Sequence, residues 1–177
     1  MKENRIIAET NRLILRSYQK NDLNDLYEYL SDPDVVKYEP YKPMTLPETE
    51  ENLDWRISTD EMVAVERKSD HKMIGNVYLG KREFAALEIG FVFRKDCWGK
   101  GYAKESCEKL IALAFQNGIH RIYAECDPQN ENSWQLLASL GFLREAHLSK
   151  NVYFWKDEDN HPIWKDTYIY ARLSEQE

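Results

Sequence analysis

Hydrophobic residues in the first half of the chain recur first at the spacing of a strand and then at the spacing of a helix. Apolar side chains alternate within 9–16, as in a short first strand, and then return every three or four residues up to Leu30. Pro33 ends this first helix. After a proline-containing loop, the pattern predicts a second helix near 48–58 and a hairpin of strands at 62–67 and 73–81.

The second half predicts a βαβ unit followed by a helix and two strands. An apolar strand ends at Phe93, helical spacing runs from Ala103 to the stop signal Gly118, and the next strand covers 121–126. The last helix ends at Gly141, and its N-terminal cap is Asn130, Asn132 or Ser133. Two closing strands are predicted near 142–155 and 163–173.

Composition adds limits to this pattern. With 177 residues, 42% of them hydrophobic and 31% charged, the chain is expected to fold as one domain over 1–177. It contains no apolar run of the roughly 18 residues that a membrane span requires, and its start does not resemble a signal peptide. The expected location is the cytoplasm. The three cysteines and four histidines have no metal-site or disulfide spacing, so no metal is predicted.

Negative charge is concentrated in one segment. Residues 31–60 contain eight acidic and three basic side chains, a net charge of -5 out of -7 for the chain. Such a segment could steer a cationic acceptor toward a site, although the solvated face of a helix is the more common meaning of a charge run. The acidity argues against a nucleic-acid partner, which favours a basic surface.

The clearest functional signal in this sequence is a turn that contains two glycines and has basic residues around it. Gly99 and Gly101 follow the strand that ends at Phe93 and precede a helix, with lysines and an arginine around them. Glycines allow a close backbone approach, and the N–H groups at a helix start attract anions. Lys100 lies between the glycines, so the turn matches neither the P-loop nor the dinucleotide fingerprint. It predicts a phosphate cradle of another kind.

The turn Trp98-Gly-Lys-Gly-Tyr-Ala103 resembles the cofactor motif of the GNAT superfamily of acyl-CoA N-acyltransferases. Trp98 replaces the usual Arg or Gln, a form typical of the RimJ/RimL-like branch, which acetylates N-terminal amines of ribosomal proteins. Four other segments resemble that branch in the same order, so the resemblance covers nearly the whole chain: 9–16, 32–38, 73–79, and 127–133 followed by 139–142.

This resemblance implies a mixed α/β (α+β) fold, a GNAT-like single domain. Its central sheet would be mixed and mostly antiparallel, with one splayed parallel strand pair, and helices would flank it. The implied cosubstrate is acetyl-CoA, with its pantetheine arm in the gap between the splayed strands. Backbone amides near Val92 and Phe93 would polarise the thioester carbonyl. The cofactor-binding residues expected on this basis are Phe91, Val92, Phe93, Trp98, Gly99, Lys100, Gly101, Tyr102, Ala103, Lys104, Asn130 and Ser133.

Two residues are candidates for catalysis. The resemblance places the Ser133 hydroxyl near the cofactor sulfur, where it would protonate the leaving thiolate, and a helix cap is the equal alternative. Glu88, in the strand before the glycine turn, is the candidate base for the ammonium proton, and a surface salt bridge is its alternative.

The acceptor is expected to be an amine bound near Tyr38, Tyr41 and Trp55 in the acidic segment. An α-amine has a pKa of about 7.7 to 8.0 and needs only a weak base, whereas a Lys amine near 10.4 needs a stronger one. This mildly favours a protein N-terminus. The alternatives are a small amine (antibiotic, polyamine or amino acid) and a non-catalytic acyl-CoA-binding module. No membrane partner is expected, and a homodimer is left open.

Overall fold

One eight-stranded sheet organises residues 5–174, the part of the chain that this computed structural model describes. The strand order is β1-β2-β3-β4-β5-β6-β8-β7, and only β5 and β6 are parallel. The strands are β1 (Ile6–Glu9), β2 (Leu13–Arg16), β3 (Met62–Arg67), β4 (Met73–Arg82), β5 (Ala86–Phe93), β6 (Arg121–Cys126), β7 (Leu143–Val152) and β8 (Lys165–Leu173). This confirms the predicted mixed, mostly antiparallel sheet.

Four α-helices flank the sheet: α1 (Leu23–Leu30), α2 (Leu46–Ser58), α3 (Tyr102–Gln116) and α4 (Glu131–Ser139). Helix α2 begins two residues before the predicted position. A capping box explains this start, because the Thr45 backbone N–H donates to the Glu48 carboxylate at 2.8 Å. Pro47 lies in the first turn, where its missing N–H has no helical partner to lose.

The two faces of the sheet carry different cores. Successive side chains of a strand point to opposite faces, so neighbouring residues Val63 and Ala64 of β3 belong to separate buried clusters. The larger cluster lies under α3 and α4 and includes Ile111 and Leu137. The smaller one lies under α1 and α2 and includes Leu53. The helices are therefore divided between the faces in sequential pairs.

Strands β5 and β6 separate soon after they begin. They pair only over residues 86–88 and 121–123, after which β6 continues its pairing with β8 alone. The rest of β5, up to Phe93, keeps β4 as its partner on one side. A gap therefore opens between the C-terminal parts of the parallel pair, as the family resemblance implied.

The ends of the sheet differ from the sequence prediction. The strand expected at 9–16 forms only its last part as β2, because Thr10 starts a turn whose hydroxyl accepts from the Leu13 N–H at 3.0 Å and folds β1 back onto β2. The closing strands are shorter than expected, and 153–164 between them is mostly turn. In the described part of the chain, no helix has the length and hydrophobicity to cross a membrane.

Candidate active site

The glycine turn opens helix α3 with free backbone donors. Gly99 and Gly101 have φ of 71° and 79°, in the left-handed region that side chains disfavour. The backbone N–H of Glu105 donates to the Gly101 carbonyl at 3.0 Å and so closes the first turn of the helix. The N–H groups of residues 102–104 precede that bond and lie at the positive end of the helix dipole. This arrangement can hold an anion such as a pyrophosphate.

A contact with the β1–β2 turn holds this glycine turn in place. Arg12 donates through Nη1 to the Lys100 carbonyl at 3.0 Å, and its Nε donates to the Glu105 carboxylate at 2.6 Å. The Arg12 guanidinium also lies 4.4 Å from the centroid of the Tyr102 ring. The pKa of Glu105 is lowered, because hydrogen bonds from Thr10 and Arg12 outweigh the opposing effect of burial. Arg12 therefore anchors the turn from outside the motif.

Backbone groups of β5 line the gap between the parallel strands. The backbone N–H of Arg94 donates to the Ile74 carbonyl at 3.0 Å. Along an antiparallel pair of strands every second residue is hydrogen-bonded to the residue opposite, so the backbone groups of Val92 are bonded to Asn76 of β4. The backbone groups of Phe91 and Phe93 therefore point to the gap. The Phe93 carbonyl accepts from the Trp98 ring N–H at 2.8 Å, and this bond joins the glycine turn to the end of β5.

One cleft of about 1560 Å³ runs from the glycine turn to the segment between α1 and α2. Every residue that the sequence suggested for the site lines it except Lys100, which is exposed beside it. These residues come from the glycine turn, from β5, from α4 and from the acidic segment. The structure thus brings together residues that lie almost a hundred positions apart.

Asn130 caps helix α4 and Ser133 lies one turn inside it. The Asn130 side-chain oxygen accepts from the Ser133 backbone N–H at 3.3 Å. The alternative that Ser133 is the cap is therefore wrong. Within residues 5–174 the Ser133 hydroxyl shows no hydrogen bond, and Ser133 lines the cleft. Its hydroxyl is available for a ligand.

Glu88 is held by an ion pair. Its carboxylate accepts from Arg82 of β4, which also hydrogen-bonds the Tyr78 hydroxyl at 3.3 Å. Burial raises the pKa of Glu125 on β6, and the negative charge of Glu88 raises it further. Glu88, Glu125 and Arg82 therefore lie close together beside the parallel strands β5 and β6.

Aromatic side chains surround the opposite end of the cleft, where the acidic segment meets β8. The Lys165 ammonium of β8 lies 5.8 Å from the Tyr38 ring centroid, and Lys42 lies 5.3 Å from that of Trp155. Trp55 of α2 remains 49% exposed at the cleft. This end of the cleft therefore presents aromatic rings beside the acidic segment.

Glu39 also lines this end, although no motif in the sequence singled it out. Burial raises its pKa to about 7, while the Tyr41 hydroxyl and the Arg56 guanidinium both act in the opposite direction. Burial likewise raises the pKa of Tyr41, well above its usual range. Arg56 is itself buried, and it donates to Tyr18 at 2.9 Å and to Asn52 at 2.6 Å. No local pattern in the sequence predicts the burial of Glu39.

The cysteines are poor nucleophiles. Cys97, Cys107 and Cys126 are free and buried, and burial raises the pKa of Cys126 to about 11 and that of Cys107 to about 12. Few thiolates are present near neutral pH. Among the described residues, no group of three or more His, Cys, Asp and Glu side chains is arranged to hold a metal ion.

The fold and the cleft define an acetyltransferase, and comparison with known proteins identifies the family. Residues 12–143 match the Acetyltransferase (GNAT) domain, so the chain belongs to the GNAT acetyltransferase family. YnaD of Bacillus subtilis (strain 168), an uncharacterized N-acetyltransferase, is 30% identical over 173 residues, which cover 94% of this chain and 96% of YnaD.

Solved structures agree with this assignment. A GNAT-family acetyltransferase from Bacillus anthracis has a TM-score of 0.86 at 29% identity, covering 97% of this chain and 99% of its own. The ribosomal-protein-S5-alanine acetyltransferase of Vibrio fischeri has a TM-score of 0.77 at 23% identity, with coverage of 96% and 97%. The spermidine N-acetyltransferase of Vibrio cholerae, solved with CoA and spermine, has a TM-score of 0.76 at 21% identity, with coverage of 93% and 97%. The last two share the fold alone.

Proposed function

We propose that this chain transfers the acetyl group of acetyl-CoA to the α-amine of a protein N-terminus. Membership of the GNAT family supports the N-acetyltransferase activity, and the proposal adds the identity of the acceptor. Support for a RimJ/RimL-like acceptor comes from the Trp98-Gly-Lys-Gly-Tyr-Ala103 turn and from the fold shared with the S5-alanine acetyltransferase. A cytoplasmic location would give the enzyme access to such substrates.

The interactions of the carboxylates in the cleft favour an acceptor with a single amine over a polyamine. Six carboxylates of the described residues line the cleft. Three of them form ion pairs with cations of the chain itself (Asp34 with Lys95, Glu88 with Arg82, and Asp127 with Lys165), and Asp166 is hydrogen-bonded to His147. The other two, Glu39 and Glu125, have raised pKa values. A polyamine needs several ionised carboxylates for its several ammonium groups, whereas a single low-pKa amine does not.

On the donor side, the pyrophosphate of acetyl-CoA would meet the N–H groups of Tyr102, Ala103 and Lys104, flanked by Trp98 and the two glycines. The pantetheine arm would lie along the gap beside Phe91 and Phe93 and reach Asn130. A backbone donor of β5 in the gap would stabilise the developing oxyanion. Val92 would then contact the ligands through its side chain.

The transfer is direct. The amine lone pair attacks the thioester carbon, the tetrahedral intermediate collapses to the amide, and the bond to sulfur breaks. The departing thiolate takes a proton from the Ser133 hydroxyl, which regains one from the amine nitrogen. Direct attack fits the raised pKa values of the buried cysteines, because an acetyl-cysteine intermediate needs a thiolate. Glu88 remains a candidate for the group that accepts the ammonium proton.

A small cationic amine is the second candidate. The aromatic rings of Tyr38, Tyr41 and Trp55 at the acceptor end favour it, since such rings attract cations. The test is thiol release from acetyl-CoA with three matched acceptors: a peptide with a free N-terminus and no lysine, the same peptide blocked at its N-terminus but carrying a lysine, and spermidine. Turnover confined to the first supports the proposal. Turnover on the second or third alone rejects it.

A further inference from the structure

Glu39 lies at the acceptor end of the cleft and is fixed there by contacts on both sides of it in the chain. Its backbone N–H donates to the carbonyl of buried Val36 at 2.9 Å, and Tyr41 packs against the cluster under α1 and α2. Both anchors belong to the same small core. The backbone on both sides of Glu39 is therefore fixed by packing, and Glu39 lines the cleft from this fixed segment.

A hydrogen-bond chain supports the groups around this carboxylate. Arg56 donates to Tyr18, whose hydroxyl lies 3.4 Å from that of Tyr29, and Tyr29 donates to Asn76 at 2.8 Å. Asn76 belongs to β4, opposite Val92 of β5. These hydrogen bonds thus connect Arg56, a neighbour of Glu39, to β4, which pairs with the strand that borders the donor gap.

We infer that the Glu39 carboxylate is the catalytic base that accepts the proton of the acceptor ammonium. The inference rests on the proposed function. The N–H bond of the ammonium breaks, its proton passes to the carboxylate oxygen, and the neutral amine keeps the electron pair with which it attacks the thioester. Glu39 then returns the proton to water, so that each cycle releases amide, CoA and one proton.

The environment of Glu39 suits this task. A base works best when its pKa is near the operating pH, and burial raises the pKa of Glu39 to about 7. Transfer from an α-ammonium with a pKa of about 8 is then nearly balanced. The groups that act on its pKa besides burial are Tyr41 in its own segment and Arg56 on α2, and Arg56 in turn interacts with Tyr18 after β2 and Tyr29 on α1.

Glu88 is less suited to the same role. Arg82 holds its carboxylate in an ion pair, and proton transfer to Glu88 would have to break that pair. Glu39 has Tyr41 and Arg56 as neighbours, and its raised pKa shows that burial outweighs their effect. Protonation of Glu39 therefore disrupts less ionic interaction than protonation of Glu88, which would break the ion pair with Arg82.

The experiment measures kcat/KM of Glu39→Gln and wild type between pH 6 and pH 9.5, using an acceptor on which the wild type turns over. We expect a loss of about tenfold at pH 7, because roughly one-tenth of an α-amine is already neutral at that pH. Above the pKa of the amine the acceptor is neutral without a base, so the loss should shrink to less than about twofold at pH 9.5. Glu51→Gln, on the exposed side of α2 and outside the cleft, is the matched control and should behave as wild type.

Other results would overturn the inference. An unchanged profile for Glu39→Gln, or a loss that is the same at every pH, would mean that Glu39 does not accept the proton. The inference also fails if Glu88→Gln, and not Glu39→Gln, shows the loss that recovers at high pH. Acetyl-CoA affinity and the thermal midpoint of each variant separate a folding defect from a catalytic one. A wild type without turnover on any amine would reject the proposed function and the inference together.

Discussion

Arg12 and Glu105 lie 93 positions apart in the chain and form an ion pair beside the donor site, with both Nε and Nη2 of the guanidinium 2.6 Å from one carboxylate oxygen. The carboxylate also accepts from the Thr10 hydroxyl at 2.6 Å. Because Arg12 also binds the Lys100 carbonyl, the β1–β2 turn fixes both the glycine turn and the first turn of α3. The proposed phosphate cradle is thus held by contacts from a residue that no glycine motif includes.

Arg12→Ala should loosen the cradle. We expect a several-fold weaker binding of acetyl-CoA and a loss of about 1 kcal/mol in the free energy of unfolding, since the pair is partly exposed. Calorimetric titration and chemical denaturation measure the two effects. Lys109→Ala, which removes an exposed cation of α3 away from Glu105, is the control. Equal affinities for Arg12→Ala and wild type would show that the turn holds its shape unaided.

Gly101→Val should abolish acetyl-CoA binding. Gly101 has φ of 79°, and an added Cβ would lie 3.4 Å from Arg12 Nη2, at the start of the helix that would face the pyrophosphate. Forcing a branched side chain into this conformation costs about 1 to 3 kcal/mol. Gly118→Val is the matched control, because Gly118 has φ of 86° at the far end of α3, outside the cleft.

The two glycine variants should therefore lose similar stability but differ in affinity. Calorimetric titration with acetyl-CoA, below the thermal midpoint of each variant, makes the comparison. Retained binding in Gly101→Val would remove the glycine turn from the donor site. Lost binding in both variants would mean that the defect is one of folding.

Ser133→Ala should lower kcat more than it raises KM for acetyl-CoA. Asn130 is the cap of α4, so removal of the Ser133 hydroxyl leaves the capping bond to its backbone N–H intact. If the hydroxyl protonates the thiolate, kcat falls by about 100-fold. Steady-state kinetics and a thermal melt measure this. A kcat equal to that of wild type in a folded variant would show that the Ser133 hydroxyl does not protonate the thiolate.

The elements of the fold could be predicted from sequence because their signals are local. The periodicity before Phe93 and after Ala103, with Gly118 as the stop, placed β5, α3 and their order correctly. The start of α2 differs from the prediction because Pro47 signals a loop in the sequence, although proline is well accommodated in a first helical turn.

The site could be predicted only in part. The resemblance to a known family suggested residues that the structure places along one cleft, including Ser133 and Tyr38. It did not suggest Arg12 or Glu39, because the role of each depends on contacts made in the folded chain. The contacts of Arg12 form because β1 folds back onto β2, and the raised pKa of Glu39 results from its burial near Arg56. Neither the long-range contact nor the burial has a local pattern in the sequence.

The pH dependence of stability gives an independent test of the state of Glu39. Its pKa in the folded chain is about 7, above the ordinary value of 4.5, so the folded state holds its proton more tightly than the unfolded state does. The contribution of Glu39 to stability is therefore fully present below about pH 4.5 and is lost as the pH rises to about 7. Glu39→Gln cannot ionise and should not show this loss.

We expect Glu39→Gln and wild type to unfold with similar free energies at pH 4.5, and Glu39→Gln to be more stable by about 3 kcal/mol at pH 8. Urea denaturation at the two pH values measures the difference, with Glu51→Gln as the control for loss of a charge. If the stability difference between Glu39→Gln and wild type were the same at both pH values, the carboxyl would titrate alike in the folded and unfolded chains. A base of that kind would be ionised but too weak at pH 7 for the role assigned to it.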